Sequence, residues 1–137
     1  MSILRELLAT IKQSAFPIAL GFARIALLSK LDYQEHPSEY GIHWNFYTTI
    51  ALINILLVFV RSSEIAMPVG FLLMIGYEFA ISAYGLDTFI FHVPRTDFIS
   101  ANREGIASLI GYFSLQLIGI GLGNFMYRQL MTPEQIE

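Results

Sequence analysis

Cysteine is absent from this sequence, and charged residues are scarce. Without a thiol, the chain can form no disulfide, no thiolate metal site and no cysteine nucleophile. Charged residues make up 14% of the chain, whereas an average soluble domain has about 25%. The formal net charge of -3 provides no excess of basic residues, which argues against a nucleic-acid-binding surface. No basic start leads into an apolar core and a cleavage site, so we predict no signal peptide.

Long apolar segments are what the chain does contain. They cover residues 13–29, 44–60, 65–85 and 105–127, and a membrane span needs about 17 to 25 such residues. Helices suit a bilayer because they pair their backbone groups internally. We therefore predict an all-α polytopic membrane protein with about four spans, forming one membrane-embedded region, 1–137. A soluble four-helix protein is the alternative class, and the uncharged length of the fourth segment argues against it.

Two polar stretches interrupt the apolar sequence. The first polar stretch, residues 32–45, contains three carboxylates, two of the three histidines and the only tryptophan. The second polar stretch, residues 92–104, contains two arginines. With four spans, both stretches lie on the same side of the membrane. We therefore expect them to approach each other.

The first polar stretch has two chemical interpretations. A metal site would use His36, Glu39 and His43, but their spacing is not that of a zinc protease, and Pro37 and Gly41 interrupt any continuous helix face. General acid–base chemistry suits these residues better, because desolvation and neighbouring like charges move a carboxyl or imidazole pKa towards neutrality. A solvated loop is the structural alternative, although the aromatic residues among the polar ones argue against it.

The second polar stretch combines helix-capping residues with two guanidinium groups. Ser100 or Asn102 can cap the fourth segment, and Glu104 suits the positive end of its helix dipole. Arg95 and Arg103 beside a helix N-terminus would suit a phosphate. Alternatively, they form ion pairs within the protein. The acidic candidates for such pairs are Asp87, Asp97 and the carboxylates of the first polar stretch.

Two charges lie inside apolar segments, Arg24 in the first and Glu78 in the third. An isolated charge at the centre of a bilayer costs at least about 2.5 kcal/mol, so a partner is expected. We predict that they pair with each other. The alternative is that Arg24 extends to the interface while Glu78 is protonated or bonds a neighbour such as Asn54.

Two motifs resemble one known family. The first is DYQEHPSEYGIHWNF at residues 32–46; the second is PRTD at 94–97, followed by SANREGI at 100–106, SL at 108–109 and GY at 111–112. Both are similar to signatures of the glycosylphosphatidylinositol inositol acyltransferases, namely the wall transfer proteins of fungi and PIG-W of animals. Members of that family are longer. The resemblance therefore implies that this chain is an internal piece and that its helices form part of a larger bundle.

The resemblance implies a multi-pass protein of the endoplasmic reticulum membrane. Its reaction would move a fatty acyl group from acyl-coenzyme A (acyl-CoA), a co-substrate, to the inositol of glucosaminyl-phosphatidylinositol, with no bound cofactor or metal. The predicted catalytic residues are His43, His36, Glu39 and Glu35. The predicted substrate-binding residues are Asp32, Tyr40, Trp44, Asn45, Arg95, Ser100, Asn102 and Arg103. Expected partners are membrane lipid and further spans of the full-length protein; the alternative function is a non-catalytic bundle or transporter fragment.

Overall fold

The structure, a computed structural model, describes residues 3–28, 40–60 and 62–130, which contain α-helices and no β-strand. The predicted all-α class is therefore confirmed. In chain order the helices are α1 (Ile3–Leu28), α2 (Phe46–Leu57), α3 (Ser63–Ala83), α4 (Leu86–His92), α5 (Phe98–Ala101) and α6 (Arg103–Leu130).

Helix α1 is longer than the apolar segment it contains. Residues 3–12 are amphipathic and precede that segment, yet both form one helix of 26 residues. Pro17 consequently lies inside the helix, where it cannot donate the usual backbone hydrogen bond to the residue four positions earlier. The three helices long and apolar enough to cross a membrane are α1, α3 and α6 among the described residues.

Helix α2 is shorter than the predicted span 44–60. It has 12 residues, which corresponds to about 18 Å along the axis. Beyond it, the backbone N–H groups of Val58, Phe59 and Val60 each bond the carbonyl three residues earlier, at 3.2, 3.1 and 3.0 Å. These bonds tighten the chain before Ser62, which caps α3. Whether α2 crosses a membrane stays a prediction.

Helices α3 and α6 form the most closely packed pair. A Cβ on Gly70 would lie 2.8 Å from the Ser114 carbonyl oxygen, and one on Gly121 would lie 2.7 Å from the Met67 backbone nitrogen. Small residues therefore let the two backbones meet, as is common between membrane helices. By contrast, a Cβ built on Gly119 or Gly123 of α6 would have no described atom within 4 Å apart from the backbone of α6 itself.

Helix α1 packs against α2 instead of against α3. Consequently, Arg24 on α1 and Glu78 on α3 form no ion pair with each other in the described part of the chain. The expectation that these two residues meet is wrong, because the helices that carry them belong to different pairs. A smaller contact between α2 and α6 joins the two pairs.

Candidate active site

Residues 40–45 and 97–105 meet in what we call the polar junction. The Ile42 amide donates to the Ala101 carbonyl at 3.0 Å, and the Gly105 amide donates to the Tyr40 carbonyl at 3.0 Å. The predicted approach of the two polar stretches is thus confirmed for these residues. Their position relative to a membrane stays a prediction.

Two glycines allow the backbones of the polar junction to touch. Gly41 has φ +105°, and a Cβ there would lie 2.5 Å from the Cα of Asn102. A Cβ on Gly105 would collide with the indole of Trp44 and lie 2.6 Å from the Tyr40 carbonyl oxygen. Positive φ and close approach are both conditions that favour glycine. Either glycine would be difficult to replace.

Asn102 connects the two sides of the junction through its side chain. It is fully buried, its Oδ1 accepts a hydrogen bond from the His43 backbone amide at 2.7 Å, and its Nδ2 donates to the Phe98 carbonyl at 2.8 Å. Because both polar ends of this amide are used, Asn102 fixes the backbone of His43 relative to α5.

Asp97 caps the short helix α5, which the sequence did not predict. Ser100 and Asn102 were expected to cap the fourth segment, but their side-chain oxygens accept hydrogen bonds from the amides of Asp97 and His43. The Asp97 Oδ1 accepts hydrogen bonds from the amides of Ile99 at 2.8 Å and Ser100 at 3.0 Å. The buried Ser100 hydroxyl accepts in return from the Asp97 amide at 3.0 Å, which completes a capping box. The hydrogen bond from the Ser100 amide is the largest of several that hold the pKa of the Asp97 carboxyl below its usual value.

Arg95 and Arg103 form ion pairs within the protein, and both contact Glu104. Arg95 donates to the two carboxylate oxygens of Glu104 at 3.0 and 2.5 Å, and also to the Ala101 carbonyl at 2.7 Å. The Arg103 Nε lies 3.4 Å from the Glu104 carboxylate but has no hydrogen-bond partner among the described residues, whereas its Nη1 donates to the Val93 carbonyl. The arginines therefore do form ion pairs within the protein. The carboxylate that contacts both is Glu104, which was not among the expected acidic partners.

An apolar cleft of about 420 Å³ lies between α1 and α2, next to the polar junction. Each helix contributes residues at positions i, i+3, i+4 and i+7, the spacing of a single helix face. We call it the α1–α2 cleft. Its apolar wall comprises Ile18, Gly21, Phe22 and Ile25 of α1, Ala51, Leu52 and Ile55 of α2, and Phe98 of α5.

The polar end of the α1–α2 cleft is formed by His43, Trp44, Asn45 and Thr48. His43 is exposed, and within the described ranges its imidazole has no hydrogen-bond partner. The indole of Trp44 donates to the Thr49 hydroxyl at 2.9 Å, so its only donor is already used. The Thr48 hydroxyl donates to the Asn45 Oδ1 at 3.4 Å. His43 thus offers an exposed imidazole at this end of the cleft.

Asn45 joins the two helices that form the cleft. Its Oδ1 accepts from the Thr48 amide at 3.1 Å and caps α2, while its Nδ2 donates to the Gly21 carbonyl of α1 at 3.2 Å. A Cβ on Gly21 would lie 3.0 Å from the Asn45 Oδ1. Asn45 is almost fully buried, so it holds the cleft together rather than presenting polar atoms to it.

A second groove, of about 320 Å³, lies on the other side of α2 against α6. The ring of Phe46 lines it and contacts the ring of Tyr112 edge-on, with centroids 5.7 Å apart. Tyr40, predicted to shape the substrate pocket, contacts Phe46 at 6.4 Å and does not line the α1–α2 cleft. Ile53 and Asn54 also line this second groove.

The structure brings only part of the predicted site together. His43, Trp44 and Asn45 line the cleft, whereas Ser100, Asn102 and Arg103 are buried supports of the junction. Four predicted site residues lie outside the described residues: Asp32, Glu35, His36 and Glu39. The roles assigned to all these residues in catalysis and substrate binding stay predictions.

The cleft wall itself was missed by sequence reasoning, although a signal existed. Residues 18, 21, 22 and 25 and residues 48, 51, 52 and 55 repeat one helical spacing, with glycine, threonine or alanine among larger side chains. In a uniformly apolar segment, this face does not differ in hydropathy from the others. Only the packing of α1 against α2 distinguishes it.

Comparison with known proteins gives the same assignment as the two motifs. The family described as GWT1 matches residues 1–136. The chain belongs to the GWT1 family. That match confirms the resemblance predicted from the two polar stretches.

Curated GWT1 relatives are similar to this chain over most of its length. The phosphatidylinositol-glycan biosynthesis class W protein of Dictyostelium discoideum is 39% identical over 119 residues, covering 86% of this chain and 24% of the relative. The GPI-anchored wall transfer protein 1 of Gibberella zeae is 32% identical over 138 residues, covering 98% and 28%. The chain thus spans about a quarter of the length of these GWT1 relatives.

Proposed function

We propose that this chain takes part in glycosylphosphatidylinositol (GPI) anchor biosynthesis at the endoplasmic reticulum membrane. Its reaction is transfer of a fatty acyl group from acyl-CoA to an inositol hydroxyl of glucosaminyl-phosphatidylinositol. The family and its relatives' names support the pathway. The α1–α2 cleft supports the chemistry.

The observation that carries the proposal is the position of His43. An exposed imidazole at the end of a largely apolar cleft places a proton-accepting group beside a site suited to a hydrocarbon chain. A volume of about 420 Å³ falls within the range of about 300 to 1,000 Å³ that is typical of small-molecule sites. A polar metabolite without an apolar chain would make no apolar contacts with this wall.

The chemistry needs one general base and no oxidant. His43 removes the proton from the inositol hydroxyl as its oxygen attacks the thioester carbonyl carbon. A carbon–oxygen bond forms, and the carbon–sulfur bond then breaks. The coenzyme leaves as a thiolate and receives the proton from the His43 imidazolium. The products are the acylated inositol and free coenzyme A.

Arg95 and Arg103 have a supporting role in this proposal. Arg95 uses both terminal nitrogens on Glu104 and the Ala101 carbonyl, so these donors are not available to a lipid or coenzyme phosphate. Arg103 donates to the Val93 carbonyl. The Arg103 side chain is also only 7% exposed. We therefore assign these arginines to holding the polar junction in place beside His43, in preference to the phosphate-binding role.

The experiment measures incorporation of a labelled acyl chain into glucosaminyl-phosphatidylinositol by membranes containing the full-length protein. We expect His43→Ala to reduce the rate by about 10² or more, as for loss of a general base, with normal protein abundance. His92→Ala is the matched control, since His92 is exposed on α4 and does not line the cleft.

Two outcomes would contradict the proposal. No transfer by the unmodified protein would favour the alternative of a non-catalytic membrane bundle. Normal transfer by His43→Ala would remove His43 from the mechanism, and His36 would be tested next. A loss shared equally by His92→Ala would indicate damage to the fold rather than to the site.

A further inference from the structure

Helix α2 presents different residues to the two grooves beside it. Leu52 and Ile55 line the α1–α2 cleft, whereas Ile53 lines the groove against α6. All three side chains are partly buried. The helix therefore separates two apolar spaces. Substitutions of neighbouring residues of similar size change one space and leave the other unchanged.

Ile55 is the residue of α2 in the cleft wall that lies furthest from the polar end. It lies about 15 Å beyond the N-cap Asn45, at about 1.5 Å per residue along the axis. Leu52 lies one turn closer to His43 on the same face. A chain whose reacting carbonyl is near His43 would pass Leu52 before it reaches Ile55.

We propose that Leu52 and Ile55 determine which acyl chain lengths the site accepts. This inference rests on the proposed function, because it assigns the α1–α2 cleft to the acyl chain of the donor. The physical basis is burial of methylene groups: each one that leaves water for an apolar site favours binding by about fourfold. A methylene that meets a side chain instead of free space loses that contribution and adds a steric cost.

Removing bulk at the far end should favour longer chains. In Ile55→Ala, the cleft gains space beyond the normal chain end, so kcat/KM for stearoyl-CoA relative to lauroyl-CoA should rise by about fourfold or more. Adding bulk one turn earlier should do the opposite. In Leu52→Phe, the same ratio should fall by at least a similar factor.

The α2–α6 groove provides matched controls on the same helix. Ile53→Ala repeats the Ile55 substitution one face away, and Ile53→Phe does the same for Leu52→Phe. Both should leave the stearoyl-to-lauroyl ratio at the value of the unmodified protein, even if overall stability falls. Rates are measured with lauroyl-, palmitoyl- and stearoyl-CoA in membranes containing the full-length protein.

Failure of this inference is distinguishable from failure of the proposed function. Unchanged ratios in Ile55→Ala and Leu52→Phe, with acyl transfer retained, would overturn the length assignment alone. Equal ratio changes in the Ile53 variants would also overturn it, because the cleft would not be the cause. If Ile55→Ala does not accumulate, Leu52→Phe decides the question. Absence of transfer from every donor by the unmodified protein would overturn both proposals.

Discussion

The glycines of the α3–α6 pair and of the α1–α2 pair face different kinds of neighbour. In the first, glycines at Gly70 and Gly121 bring the helices into contact through backbone atoms. In the second, Gly21 receives the side chain of Asn45, and a cleft of about 420 Å³ remains beside this contact. A glycine that faces a backbone thus marks the closely packed α3–α6 pair, which we call the support. A glycine that faces a side chain marks the α1–α2 pair, which contains the cleft.

The polar junction holds these two pairs together. Asn45 begins α2 and bonds α1, whereas Glu104 lies in the first turn of α6 and pairs with Arg95. The Asn102 side chain connects this second group to the backbone of His43. A substitution that destabilises the support should therefore also displace His43, because the polar junction connects them. A substitution in the cleft need not destabilise the support.

The largest loss of stability is expected from Glu104→Gln, which removes the carboxylate that links the start of α6 to Arg95. It leaves Arg95 and the buried Arg103 without this carboxylate. Because Arg95 is 23% exposed, we expect a loss of about 3 kcal/mol, the lower end for breaking a buried ion pair. The thermal unfolding midpoint in detergent measures it, with Glu64→Gln as the control because the Glu64–Arg128 pair is exposed. Equal losses in both variants would contradict the buried role of Glu104.

Gly121→Leu should break the α3–α6 support by overpacking. The new side chain meets the Met67 backbone, which cannot turn aside as a side chain can. We expect a loss of about 1–3 kcal/mol, together with lower yield of folded protein by size-exclusion chromatography. Gly119→Leu is the matched control, since a Cβ there would have no described atom within 4 Å apart from the backbone of α6 itself. A stable Gly121→Leu protein would show that this pair is not closely packed.

A smaller effect should follow Asn45→Ala, which opens the α1–α2 pair and leaves α3–α6 intact. The substitution removes the α2 cap and the bond to Gly21, and loss of such a cap costs about 0.5–2 kcal/mol. We expect a modestly lower unfolding midpoint but a large loss of acyl transfer, because the cleft changes shape. Asn54→Ala, on the same helix, should change neither. Full transfer by Asn45→Ala would show that the cleft tolerates separation of its helices.

The smallest effect is expected in the pH dependence of stability that the Asp97 cap of α5 contributes. Hydrogen bonds, first that from Ser100, lower the pKa of this carboxyl in the folded protein from 3.8. The folded state therefore binds the proton less well, so the stabilisation is present above the unfolded pKa and is lost as pH falls through the folded pKa. The unfolding midpoint of the unmodified protein should exceed that of Asp97→Asn at pH 7, and the difference should shrink below about pH 4. A difference that is constant with pH would contradict the assignment.

Sequence reasoning identified the helices and the polar junction better than it identified the cleft. Long uncharged segments and polar stretches have compositional signals, so the helix at the fourth apolar segment and the approach of the two polar stretches could be predicted. Helix pairing has no such signal, and the Arg24–Glu78 prediction failed for that reason. Burial has no such signal either: Ser100 and Asn102 are buried and hydrogen-bond backbone groups of the polar junction, and the sequence did not indicate this.

The proposed function places an acyl chain in the α1–α2 cleft. A palmitoyl-CoA analogue with a photoreactive group near the chain end tests it, with crosslinked peptides of the full-length protein mapped by mass spectrometry. We expect labelling of the peptides containing Leu52 and Ile55, removed by excess palmitoyl-CoA and reduced in Leu52→Phe. Labelling of α3 or α6 that excess palmitoyl-CoA removes, with no labelling of α1 or α2, would show that the acyl chain does not occupy the α1–α2 cleft.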